Sequence, residues 1–130
     1  MLENWAAEYP KFFLNGSLNF ITLYGKALQA FKCGPSQASQ IQIPSIAVAE
    51  RLRELRQRRG ALDVKRLQDA DLVLTTYETV RDFQLDLGLI PWAAVVIDEA
   101  QRIKTPGTLV TNALKALKTD FRIALTNFQY

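Results

Sequence analysis

Two adjacent carboxylates, Asp98 and Glu99, directly follow the apolar run Ala93-Ala94-Val95-Val96-Ile97. A continuous run, unlike an alternating one, suits a strand covered on both faces, as in a parallel sheet. In open α/β sheets ligands bind beyond the carboxyl ends of the strands, which is where these acids fall. One acid there can hold Mg²⁺ through water, and Mg²⁺ bridges nucleotide phosphates. The next can orient and deprotonate an attacking water. The plainer alternative is a buried strand that ends in solvated acids, and the pair by itself does not decide between the two.

Composition removes several other chemistries. The 130 residues include no His, which excludes Ser–His–Asp and Cys–His nucleophile systems and the commonest metal ligand. The single cysteine, Cys33, can form neither an internal disulfide nor a Cys-based zinc site; it reads as a structural or bystander thiol. A net charge of +3 permits a polyanionic partner without arguing for one. The length fits one domain, and an apolar content of 48% fits a globular core. No apolar run approaches the roughly 18 residues that span a bilayer. Met1-Leu2-Glu3-Asn4-Trp5 lacks a signal-peptide layout. The expectation is an intracellular chain with no membrane partner.

The elements that must position the acids alternate in type. Residues 2–9 predict a short helix that Pro10 discourages from continuing. Leu18–Tyr24 predicts a strand stopped by Gly25, and residues 33–45, with Gly34, Pro35, Ser36, Ser39 and Pro44, a loop. Residues 46–59 predict a helix with a Val48, Leu52, Leu55 stripe and a Gly60 stop. A shorter helix covers 63–69, a strand Asp71–Tyr77, and a helix follows through Val80 and Phe83. After the 93–97 strand come a helix over 108–118 and a last strand over Phe121–Thr126. Strands alternating with helices predict an α/β fold with a mostly parallel sheet flanked by helices.

Arg51, Arg53, Arg56, Arg58 and Arg59 surround the stripe of the 46–59 helix. They read as a solvated face partly paired with Glu50 and Glu54, the alternative being a DNA-backbone contact. No aromatic residue is interleaved to stack bases, so single-strand binding is not indicated. Trp5, Tyr9, Phe12 and Phe13 read as core.

Trp92–Lys104, with Asp98-Glu99-Ala100-Gln101 at its centre and Arg102-Ile103-Lys104 after it, resembles motif II of the Swi/Snf-type helicase-like ATPases, of the DEAD/DEAH-box superfamily. Three more segments resemble that family's motifs in order. Asn4-Trp5-Ala6-Ala7-Glu8 looks like the tail of motif Ia, Leu74-Thr75-Thr76-Tyr77-Glu78 like motif Ib, and Arg122-Ile123-Ala124-Leu125-Thr126 like the start of motif III. The resemblance spans nearly the whole chain. It implies part of the first RecA-like lobe of a P-loop NTPase, acting on ATP with Mg²⁺. It further implies that Asp98 holds the Mg²⁺ through water, Glu99 is the catalytic base, and Gln101 senses the γ-phosphate. Thr75 and Thr76 would contact a DNA phosphate, which positions the strand without reading its sequence. The implied partners are DNA, as duplex, and a second RecA-like lobe. The implied location is the cytoplasm at the nucleoid, or the nucleus in a eukaryote.

The pattern departs from the family in two places. The phosphate loop, Gly-x-x-x-x-Gly-Lys-Ser/Thr, is not in this sequence: Phe20 stands five before Gly25, and Ala27 follows Lys26. The family continues Leu-Thr-Gly-Thr-Pro where this chain reads Leu125-Thr126-Asn127-Phe128-Gln129-Tyr130. The expectation is a partial ATP-binding lobe over 1–130, with 33–60 as a loop and basic-helix insertion, inactive by itself and marginally stable. It would belong to a DNA-dependent ATPase that translocates on DNA or remodels protein–DNA complexes. The alternative is a non-catalytic remnant that binds DNA or protein weakly.

Overall fold

β-branched and aromatic residues at Phe20–Leu23 (β1) and Leu72–Thr75 (β4) build the strand pair at the centre of the molecule. The two run parallel, Phe20 beside Leu72 and Leu23 beside Thr75. They belong to a computed structural model that describes residues 2–12, 18–33, 45–103 and 105–126. Val95–Ile97 (β6) and Arg122–Ala124 (β8) form a second parallel pair, Ile97 beside Ala124. Pro91–Trp92 (β5) and Lys118–Thr119 (β7) form a third. Lys32–Cys33 (β2) and Ala61–Leu62 (β3) pair antiparallel. The fold is α/β with strands that pair two by two, mostly in parallel.

Helices fill the intervals. α1 spans Leu2–Phe12, α2 Ile46–Arg59, α3 Val64–Gln68, α4 Tyr77–Asp82, α5 Gln84–Gly88 and α6 Leu109–Ala116. Four of them begin on the same device, a side-chain oxygen that accepts a backbone N–H of the first turn. Ser45 caps α2, Asp63 α3, Thr76 α4 and Thr108 α6. Gly60 ends α2 at φ 82°, a left-handed conformation that suits glycine. The core gathers Ile21 and Leu23 from β1, Leu62 from β3, and Val64 and Leu67 from α3. Val80, Phe83 and Leu87, from the α4–α5 region, and Ala113, Leu114 and Leu117, from α6 and its C-terminal end, complete it, with α4 and α5 packed on α6. No helix among the described residues is long and apolar enough to cross a membrane.

The structure departs from several expectations. α1 runs through Pro10 to Phe12, two residues beyond the proline expected to end it, and forgoes the ladder hydrogen bond that a Pro10 N–H would have made. Residue 33 is a strand residue, paired with Ala61, and residues 34–44 of the expected loop lie outside the described residues. The strand before the two acids is shorter than its apolar run and is not covered on both faces: Val96 is 53% exposed. Trp5 is not core. It is 43% exposed, because its ring nitrogen is engaged at the surface, as described below. The side chains of Tyr9, Phe12 and Phe13 lie outside the described residues.

The basic helix is pinned rather than merely solvated. Arg51 and Arg58 pair with Glu54, at 3.0 and 3.3 Å, as the spacing predicts. Two other arginines reach α4 and α5: Arg59 to Asp82 at 2.7 Å and Arg56 to Asp86 at 2.8 Å. Asp86 is 3% exposed, so this second pair is a buried one. Both fix α2 against the rest of the fold.

Candidate nucleotide site at the end of the motif II strand

β6 delivers its chain to the surface at Ile97, and the next residues turn sharply. Glu99 adopts φ 49°, in the left-handed region that a side chain disfavours. The turn is held by its own acid, since Glu99 N–H donates to Asp98 Oδ1 at 2.8 Å. It is also held by β8's continuation. Ala100 N–H donates to Leu125 O at 2.9 Å, and Leu125 N–H to Ile97 O at 2.8 Å. Asp98 and Glu99 are therefore consecutive, half-buried, and fixed at the carboxyl end of a parallel strand.

Three side chains close around them. Trp5 Nε1, from α1, donates to Asp98 Oδ2 at 2.8 Å. The Tyr77 hydroxyl, from the first turn of α4, donates to the backbone carbonyl of Asp98. Arg102 lies 3.8 Å from Glu99 Oε2 and 5.9 Å from the centre of the Tyr77 ring. Burial pushes the Tyr77 phenol above its ordinary value, Arg102 opposes this, and Asp98 and Glu99 add to it. Gln101 falls in a 3₁₀ helix over Ala100–Ile103. Its Oε1 is buried and has no hydrogen-bond partner. Lys104 lies outside the described residues.

Thr75 and Thr76 stand at the carboxyl end of β4, directly before Tyr77, so the Tyr77–Asp98 bond joins the ends of β4 and β6. Both threonine hydroxyls have partners in the chain. Thr75 donates to Leu23 O at 2.7 Å and Thr76 to Thr79 Oγ1 at 3.0 Å. The five residues singled out from sequence thus fall at two neighbouring strand ends. Sequence reasoning missed Trp5 and Tyr77 as members of the site. Both lay inside recognised motifs, but nothing in a linear pattern says where a single N–H or O–H donor points.

The Mg²⁺ ion implied by the motif is compatible with these residues. Each oxygen of the Asp98 side chain accepts one N–H donor, which leaves lone pairs for the water shell of a cation. Mg²⁺ is ordinarily held by one or two carboxylates together with water and phosphate oxygens. The described residues contain no group of three or more potential ligands, and such a site requires none.

The family described as the SNF2-related domain matches residues 1–127. The chain belongs to this family. The SNF2-related chain is 35% identical to the Zorya protein ZorD of Escherichia coli over 97% of its own length, and spans 11% of ZorD. It is 46% identical to the mouse DNA excision repair protein ERCC-6-like 2 over 43% of its length, 4% of that protein. A solved structure, the Sulfolobus solfataricus SWI2/SNF2 ATPase core in complex with double-stranded DNA, superposes with a TM-score of 0.60. That likeness covers 98% of this chain and 19% of the other, at 28% identity. The fold is accordingly part of a RecA-like lobe as found in SNF2-related proteins.

Proposed function

We propose that this chain is the part of a DNA-dependent ATPase's first lobe that supplies its water-activating and Mg²⁺-holding carboxylates. The observation that carries this reading is the placement of Asp98 and Glu99, consecutive and fixed at the carboxyl end of β6, in a chain of SNF2-related descent. When bound, Mg²⁺ supplies the charge that neutralises the β- and γ-phosphates. Asp98 holds the water shell of that ion. Glu99 accepts the proton of the attacking water, a role worth about 10²–10⁴-fold in rate. Gln101 senses the γ-phosphate region; its unpartnered Oε1 is a buried acceptor of the kind that calls for a donor such as water.

Thr75 and Thr76 face the DNA backbone in this reading. Each has spent its hydroxyl proton within the chain, so bonding a phosphate requires the hydroxyl to rotate toward it. The pairing of Lys32–Cys33 with Ala61–Leu62 closes the base of the segment between them. This supports 33–60 as an inserted unit that carries the basic helix. The phosphate loop is not in this sequence, and neither is a second lobe. Positioning and charge stabilisation account for nearly all of phosphoryl-transfer catalysis. The 130 residues alone therefore turn over no ATP, and activity belongs to a longer polypeptide that contains them. Movement on DNA or remodelling of protein–DNA complexes is the output, without strand separation being required.

The test is ATP hydrolysis by such a polypeptide, with and without duplex DNA. Stimulation by duplex is expected. Hydrolysis that ignores DNA would remove the DNA-dependent reading, and no hydrolysis in either condition would favour a non-catalytic binding module.

A further inference from the structure

The largest side chain near the two acids is one that core packing does not explain. Trp5 is 43% exposed, yet its Nε1 donates to Asp98 Oδ2 at 2.8 Å across 93 positions of sequence. The other oxygen of the same carboxylate accepts Glu99 N–H at 2.8 Å. The two donors hold the group at both oxygens, so its two side-chain torsions are fixed. Tyr77 holds the backbone carbonyl behind it. An indole nitrogen only donates; it cannot ligate a cation or take a proton. Toward a carboxylate it can orient and stabilise the charged form, and nothing else.

We propose that Trp5 is a positioning residue for Asp98, with its indole N–H presenting the carboxylate to the water shell of a divalent cation. This rests on the assignment of Asp98 above. Hydrogen-bond partners of metal-holding groups typically contribute about 10–100-fold in metal affinity or activity. Loss of the indole should therefore weaken cation binding at Asp98 about tenfold while leaving the fold in place.

The chain has two tryptophans, which makes the experiment internally controlled. Trp92 Nε1 donates to Leu87 O at 3.0 Å and to neither acid. The whole chain, with both indoles labelled by ¹⁵N, is first examined without metal by NMR. Asp98→Ala is expected to move the Trp5 indole resonance and leave that of Trp92 in place. An unmoved Trp5 resonance overturns the proposal whatever Asp98 does in catalysis. Mn²⁺ alone is then titrated as a paramagnetic probe. In the wild type it should broaden the Trp5 indole and the Glu99 amide before the Trp92 indole, and Asp98→Ala should abolish that order. Trp5→Phe should raise the Mn²⁺ needed to broaden the Glu99 amide about tenfold, with the Trp92 resonance reporting that the variant is folded. An unchanged titration in Trp5→Phe overturns the positioning role alone. If Mn²⁺ broadens neither indole selectively in the wild type, the assignment of Asp98 fails and the proposal falls with it.

Discussion

At the scale of single residues, the backbone of the acid pair supports the proposed functional reading over the solvated one. An exposed acid at a strand end needs no unusual backbone. Glu99 nevertheless sits at φ 49°, where a residue with a Cβ is disfavoured by about 1–2 kcal/mol. Strain of this kind clusters where structure serves chemistry. Tyr77 shows how the turn is secured. Its hydroxyl bond to Asp98 should be worth about 1 kcal/mol, so Tyr77→Phe should lower unfolding free energy by about that amount at neutral pH. The phenol's proton is held more tightly in the folded chain than its ordinary value of 10.0 implies. Its contribution is therefore complete below that value and is lost as the pH rises through the raised one. Chemical denaturation of both proteins across that range should show the wild type losing its advantage over Tyr77→Phe. A difference that stays constant would contradict the assignment. The place of the two acids at a strand end was legible in sequence because an apolar run points to them, whereas Gln101 was singled out only by the resemblance to motif II. Trp5 and Tyr77 were not legible as members of the site, since an aromatic side chain reads as core unless the target of its single polar atom is known.

At the scale of elements, the sequence announced most helices and the longer strands. The Val48, Leu52, Leu55 stripe and the Gly60 stop marked α2, and the apolar, β-branched runs marked β1 and β4. These signals are local, so they survive without tertiary information. The two-residue strands β2, β3, β5 and β7 have no such signal: each exists only because its partner lies alongside. The 3₁₀ turns at Gly25–Phe31 and Ala100–Ile103 likewise lack the length that periodicity needs. The cross-element pairs of α2 were equally hidden, as Arg56 and Asp86 are 30 residues apart. Asp86 is 3% exposed and the Arg56 side chain 11%. Removing one partner of such a pair leaves an uncompensated buried charge. Asp86→Ala should cost about 3–5 kcal/mol, measured by equilibrium denaturation. The double replacement Asp86→Leu with Arg56→Met should recover much of that loss. A cost for Asp86→Ala within the range of an exposed pair, below about 1 kcal/mol, would show that α2 is not pinned there.

At the scale of the whole molecule, the weak point is the face beside β8. Phe121 is 60% exposed, Ile123 and Leu125 nearly 40%, and Val96 on the neighbouring strand more than half. Among the described residues β8 pairs only with β6. Apolar side chains on a strand with an open edge favour pairing between molecules. The isolated chain should self-associate with rising concentration, as read by light scattering, and Ile123→Lys should suppress this. Association that the lysine leaves unchanged would place the sticky surface elsewhere. The same partial character bears on activity, since the acids lie here while the phosphate loop does not. The most direct test of the central claim is therefore made in a longer, ATP-hydrolysing polypeptide that contains these residues. DNA-stimulated turnover is compared between wild type and Glu99→Gln, with ATP binding measured alongside. The account predicts a fall of at least about 100-fold in turnover with ATP still bound. Turnover that stays at the wild-type level would show that Glu99 is not the base and that the two acids at the end of β6 are solvated strand-end residues.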